Sequence, residues 1–147
     1  MKTFQMTSGM RVGNRFLKFL LRVGFPMGPL KLLSHRGRKS GRLYTTPVAL
    51  VEENGTRWLV AAFGEVNWVN NVRAAGEAQL KRGFGSETIR VVELNPEAAA
   101  PILKQFLRKF GIVPFIRPYF NVTANAPLAD FEREAENHPV FRILNNG

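Results

Sequence analysis

Leu43-Tyr44-Thr45-Thr46-Pro47-Val48-Ala49-Leu50-Val51-Glu52-Glu53, then Asn54-Gly55, then Thr56-Arg57-Trp58-Leu59-Val60-Ala61-Ala62-Phe63: residues 43–63 decide the reading of the fold. Asn-Gly tolerates positive φ at both central positions of a type I′ turn, the strongest short-range hairpin signal. The flanks are rich in Thr, Val and aromatic residues, which suit a pleated surface. Strict alternation of apolar and polar residues is missing. A near-continuous apolar pair of antiparallel strands has both faces covered, which points to a barrel or a covered sheet.

Working upstream, this hairpin is fed by His35-Arg36-Gly37-Arg38-Lys39-Ser40-Gly41-Arg42, which packs four cationic side chains, two glycines and a serine into eight residues. Lys31 to Arg36 reads as a short strand, so the motif is a turn between two strands. Glycines let a backbone approach a ligand closely, and Arg, Lys, Ser and free N–H groups donate to phosphate or carboxylate oxygens. The turn is either an anion-binding cradle or a solvated basic hairpin tip. His35 beside it is either a contact to the same anion or a surface residue.

The charge distribution extends this theme. Of 21 Lys and Arg residues, ten fall in residues 1–42, where there is no acid; the remaining 11 are balanced by all 11 acidic residues, so the net +10 belongs to the N-terminal part. Such asymmetry implies an anionic partner: a membrane surface, a nucleic acid or a polyanionic small molecule. Residues 10–25 read as a helix with Arg11, Arg15, Lys18 and Arg22 on one face and Phe16, Leu17, Phe19, Leu20, Leu21 and Val23 over much of the rest. That pattern is either an interfacial membrane helix or a helix packed on its own domain. Aromatic residues are not interleaved with the basic stripe, which argues against nucleic acid.

Composition excludes other chemistries. The chain of 147 residues has no cysteine, hence no disulfide or thiolate site, and its two histidines, His35 and His138, lack metal-ligand spacing, so no metal is expected. No apolar run reaches the roughly 20 residues of a spanning helix, and Met1 to Gly9 has no secretory core. The expected location is the cytoplasm, with peripheral attachment to the inner face of the cell membrane through residues 10–25.

Downstream, Gly64 to Gly76 reads as a loop and short helix with Trp68, Val69, Val72 and Ala75 on one side. Glu77 to Gly83 and Ser86 to Leu94 form a second strand pair. Asn95 is a candidate N-cap, with Pro96 at the first helical position. The helix then runs to about Phe110 with Ile102, Leu103, Phe106, Leu107 and Phe110 as its buried stripe. Residues 111–127 place Phe115, Tyr119 and Phe120 among prolines, a candidate lid. Ala129 to Asn137 is a short helix and Pro139 to Leu144 a closing strand. The expectation is an α+β chain: an arm over 1–25 and one domain over 26–147, a small antiparallel barrel with helices around it.

An ordered set of residues gives this expectation a family. Gly37-Arg38-Lys39-Ser40-Gly41, Thr45-Thr46-Pro47, Asn54-Gly55, Val60-Ala61-Ala62 and Trp68-x-x-Asn71-x-Arg73-Ala74 together resemble the deazaflavin-dependent nitroreductases, split β-barrel oxidoreductases related in fold to FMN-binding flavin reductases. The resemblance implies reduced coenzyme F420 as hydride donor and a quinone-like, nitroaromatic or other hydrophobic acceptor. That coenzyme is a polyanion, and Arg38, Lys39, Ser40, Gly41 and Arg42 would grip its phosphodiester and tail, with Arg73 as a further cation. Its ring would lie near Thr46, Pro47, Val48, Ala61 and Ala62, with Trp68 and Asn71 shaping the wall. Tyr44 stands where the family places an arginine, and Phe63 where some members have a serine. Tyr119 is the candidate proton or hydrogen-bond donor to the acceptor. The resemblance also implies a homodimer. Two alternatives stay open: a non-catalytic lipid- or membrane-binding member of the same fold, and an FMN-dependent reductase.

Overall fold

The computed structural model describes residues 30–64, 66–82, 85–110 and 119–144; the arm at 1–25, its helix at 10–25 and Phe115 lie outside the described residues. The hairpin is present as read. Strand β1 (Leu30–Arg36) leads through the basic turn to β2 (Leu43–Glu53), and Asn54-Gly55, at φ 51° and 82°, reverses the chain into β3 (Thr56–Val60). The opposite backbone twist available at positive φ matches the twist of the strands it joins.

Helix α1 (Asn67–Ala75) follows, then β4 (Glu77–Arg82), β5 (Gly85–Glu93), α2 (Pro96–Phe110), α3 (Leu128–Glu134) and β6 (Val140–Leu144). The six strands close into one antiparallel barrel in the order β1-β2-β3-β6-β5-β4. Closure rests on a short β1–β4 pairing, Leu33 with Leu80 and Ser34 with Gln79. Arg57 on β3 grips Glu87 on β5 with two hydrogen bonds of 2.9 and 2.8 Å across β6. The Glu87 hydrogen bond holds the Arg57 guanidinium above its ordinary pKa, against the opposing effect of burial.

Two apolar clusters explain the missing alternation. One draws Leu33, Val48, Leu59, Leu80, Ile89 and Phe141 from all six strands and adds Trp68, Val69 and Val72 of α1. A cluster fed by every strand of a closed barrel is its lumen, and α1 plugs it. The other takes the opposite face of β1, β2 and β3, with Leu32, Ala49, Val51 and Val60, and packs it on Leu103, Phe106 and Leu107 of α2 and Phe131 of α3. Both faces of β2 and β3 are therefore buried, as their composition indicated. The Asn95 side chain caps α2 through the Ala98 N–H at 2.8 Å.

Two elements are shorter than expected. β3 ends at Val60 rather than Phe63: the Ala61 N–H still bonds to Pro139, its partner in the β3–β6 register, at 2.9 Å, but proline has no N–H to return the bond, and the Ala62 N–H folds back onto the Val60 carbonyl at 2.9 Å. α3 ends at Glu134 rather than Asn137, because the Glu136 and Asn137 amides bond three residues back and tighten the last turn.

Candidate coenzyme groove

The basic turn is a closed structure built by its own backbone. Gly37 donates to the Arg42 carbonyl at 2.8 Å and Gly41 to the Gly37 carbonyl at 2.9 Å. Arg36 Nη1 donates to the Gly41 carbonyl, and the Arg42 N–H to Ser40 Oγ. Gly41 has φ 74°, a conformation that suits glycine. Gly37 is needed for space: a Cβ there would stand 2.9 Å from both Ser40 Oγ and Tyr44 Cε2.

Beside this turn, at the barrel end plugged by α1, lies a groove of about 370 Å³. Gly37, Arg38, Lys39 and Ser40 form one side; His35, Tyr44 and Thr46 come from β1 and β2; Asn67 and Asn71 come from α1. No carboxylate lines it among the described residues. Asn71 is the joint between turn and helix, accepting at Oδ1 from the Arg38 backbone N–H (3.1 Å) and from Arg38 Nη1 (2.9 Å). Its Nδ2 donates to His35 Nδ1 at 3.1 Å, and His35 Nε2 lies 3.0 Å from Thr46 Oγ1. His35 and Asn71 are only 3% and 4% exposed, so this network is internal. The Tyr44 ring stacks on His35, centroids 6.0 Å apart.

The structure thus gathers Arg38, Lys39, Ser40, Thr46 and Asn71 of the sequence-predicted site. Gly41 and Arg42 belong to the same turn but stand exposed outside the groove. Pro47, Val48, Ala61, Ala62 and Trp68 are buried, with Val48, Ala61 and Trp68 in the barrel lumen and Ala62 in the outer cluster. Arg73 faces Glu93 with Nε 2.7 Å from Oε1, outside the groove. Tyr119 is 5% exposed in the outer cluster, edge-on to Phe63 at 5.2 Å, and does not line the groove. His138 joins these last segments: its ring nitrogens lie 2.8 Å from the carbonyl oxygens of Ala61 and Tyr119, and Phe120 stacks on it. Gly37, Tyr44 and Asn67 line the groove although the sequence-predicted site left them out, and His35, read as either an anion contact or a surface residue, is a buried part of its wall. The signal for His35 was its position two residues after Leu33, on the strand face that turns to the lumen.

The profile of the F420H(2)-dependent quinone reductase family matches residues 4–109, more than half of the chain. The chain belongs to this family. It is an enzyme, an F420-dependent reductase, and coenzyme F420 is its cofactor. No curated protein matches the chain. Among solved structures, an F420-H2-dependent reductase is similar at 24% identity, with 79% of this chain and 94% of that one covered and a TM-score of 0.52. A domain-swapped dimer is similar at 20% identity over 94% of this chain and 100% of that one, TM-score 0.55. A protein of unknown function from Agrobacterium tumefaciens is 13% identical over 100% of this chain and 60% of that one, TM-score 0.56. At these identities the structural likenesses establish the barrel fold alone. No helix of the described residues is long and apolar enough to cross a membrane, and no group of three His, Asp or Glu residues among them could hold a metal ion.

Proposed function

We propose that the groove holds the anionic part of coenzyme F420, and that the reductase passes its hydride to a quinone-like acceptor, with nitroaromatic compounds as a second class. The supporting observation is the groove itself. Arg38 and Lys39, the Ser40 hydroxyl and the side-chain amides of Asn67 and Asn71 on α1 converge on it without a carboxylate among the described residues. Arg38 is already held by Asn71. Lys39 is an exposed cation at the groove edge, suited to a phosphodiester or carboxylate oxygen. Bound reduced F420 supplies the hydride. The chain binds the anion, orients the ring and shields it from water. Pro47, Val48, Ala61, Ala62 and Trp68 belong to the ring side of this proposal, Gly41, Arg42 and Arg73 to its outer charge, and Tyr119 to the acceptor side.

Titrating the purified chain with F420, followed by the coenzyme's fluorescence, tests the reading. We expect micromolar binding, preference over FMN, and a Kd about tenfold higher in Lys39→Ala, the scale of one charge-assisted contact. Equal affinity of Lys39→Ala and wild type would place the anion elsewhere. Oxidation of the reduced coenzyme with a quinone and with a nitroaromatic compound, in parallel, ranks the acceptors.

Peripheral membrane attachment and a homodimer are parts of the same proposal. The first is supported by the sequence pattern of residues 10–25, in which Arg11, Arg15, Lys18 and Arg22 recur at helical spacing among large apolar residues; the second accords with a domain-swapped dimer of this fold. Replacing Arg11, Arg15, Lys18 and Arg22 together by alanine is expected to abolish flotation with anionic liposomes and leave coenzyme binding unchanged. Flotation retained by that variant would remove the membrane reading.

A further inference from the structure

We propose that His35 is a positioning residue of the coenzyme groove, a proposal that rests on the binding reading above. The argument is one of hydrogen-bond direction. The Arg38 N–H and guanidinium can only donate, and both meet Asn71 Oδ1, at 3.1 and 2.9 Å. Two donors on one atom fix which end of the amide is oxygen. The Asn71 NH2 then has to face His35 Nδ1, at 3.1 Å, and that nitrogen has to offer its lone pair. A neutral imidazole with a lone pair on Nδ1 carries its proton on Nε2. The Nε2–H therefore donates to Thr46 Oγ1 at 3.0 Å.

The consequence falls on the groove. Thr46, having accepted from His35, keeps its own proton to donate to a ligand. Arg38 is held by an amide that His35 keeps from turning over. A relay of four side chains thus presents donors to the groove from both β2 and the turn. His35 touches the ligand through neither of them; it acts through Asn71 on one side and Thr46 on the other. Burial makes the direction hard to reverse, since a flipped amide would set its NH2 against two donors of Arg38. The Tyr44 ring, stacked on the imidazole, covers it from the side of β2.

The experiment uses the full chain and three variants. His35→Phe keeps a ring against Tyr44 and removes both nitrogens. His35→Asn keeps an acceptor close to the place of Nδ1. Thr46→Val removes the hydroxyl at nearly constant shape. F420 titration is expected to show a Kd raised about tenfold in His35→Phe and in Thr46→Val, and mostly restored in His35→Asn, the scale of one polar group left unpaired. Nitrogen-15 spectra of the histidine rings in the coenzyme-free chain are expected to show the Nε2–H tautomer at His35, which a purely space-filling role would not require. A wild-type chain that binds F420, with a His35→Phe chain that binds it equally, overturns this proposal alone. An Nδ1–H tautomer overturns it whatever the variants do, and also decides the matter if His35→Phe does not fold. A wild-type chain that does not bind F420 removes the binding reading and this one with it.

Discussion

Replacing Asn71 by leucine is expected to raise the F420 Kd about a hundredfold and to lower the free energy of unfolding by about 1–3 kcal/mol. Leucine fills nearly the same volume, so the effect is one of lost pairing rather than of a cavity. Three partners lose their counterpart: the Arg38 backbone N–H, the Arg38 guanidinium and His35 Nδ1. The guanidinium, on an exposed residue, turns to water at little cost in stability. The histidine, 3% exposed, cannot. Binding is hit harder than folding because this amide ties the turn to α1, and an untied Arg38 must be ordered again by each ligand that arrives. Urea unfolding and coenzyme titration on the same variant provide the check. A variant that binds as wild type would show that the turn holds its shape without α1.

Phe131→Ala is expected to do the reverse. Phe131 is completely buried in the outer cluster, where α3 meets α2 and the barrel wall. Truncating a buried phenylalanine removes transfer free energy and leaves a cavity, about 3–5 kcal/mol together. That is a large part of the roughly 5–15 kcal/mol by which a domain of this kind is stable. None of the groove-lining residues belongs to the outer cluster. At a temperature where the variant is still folded, its F420 Kd should therefore stay within about threefold of wild type. Calorimetry and titration test the pair of statements. A small loss of stability would mean that α2 and α3 close up over the cavity, and a large loss of affinity would mean that the groove leans on the helical layer.

Most of the barrel was legible because its signals are local. Asn54-Gly55 sets a turn through the φ values of two adjacent residues, and Asn95-Pro96 starts a helix through one side chain and one ring. The apolar run of β2 announced two covered faces. The expected β3 ran to Phe63 because Ala61, Ala62 and Phe63 continue its pattern. Only the partner strand ends it three residues sooner: Pro139, just before β6, accepts from the Ala61 N–H but has no N–H to return.

The candidate site was legible in part. The cations, glycines and serine of the turn announced an anion cradle by composition alone. Arg73 carries the same charge, yet the helix face it occupies turns it to Glu93, with Nη2 2.9 Å from Oε2. The partners of His138 were not readable, since Ala61 and Tyr119 come from different parts of the chain.

The sequence by itself determined the hairpin, the order of strands and helices, the polycationic turn and the family. Each depends on neighbours along the chain, on periodicity, turn chemistry or ordered motifs. Tertiary structure alone decided that Arg38 and His35, on either side of Gly37, would meet one amide on α1. Barrel closure brings that helix over the strand ends, and the direction of a hydrogen bond there follows from what faces each atom across space, which no local pattern records.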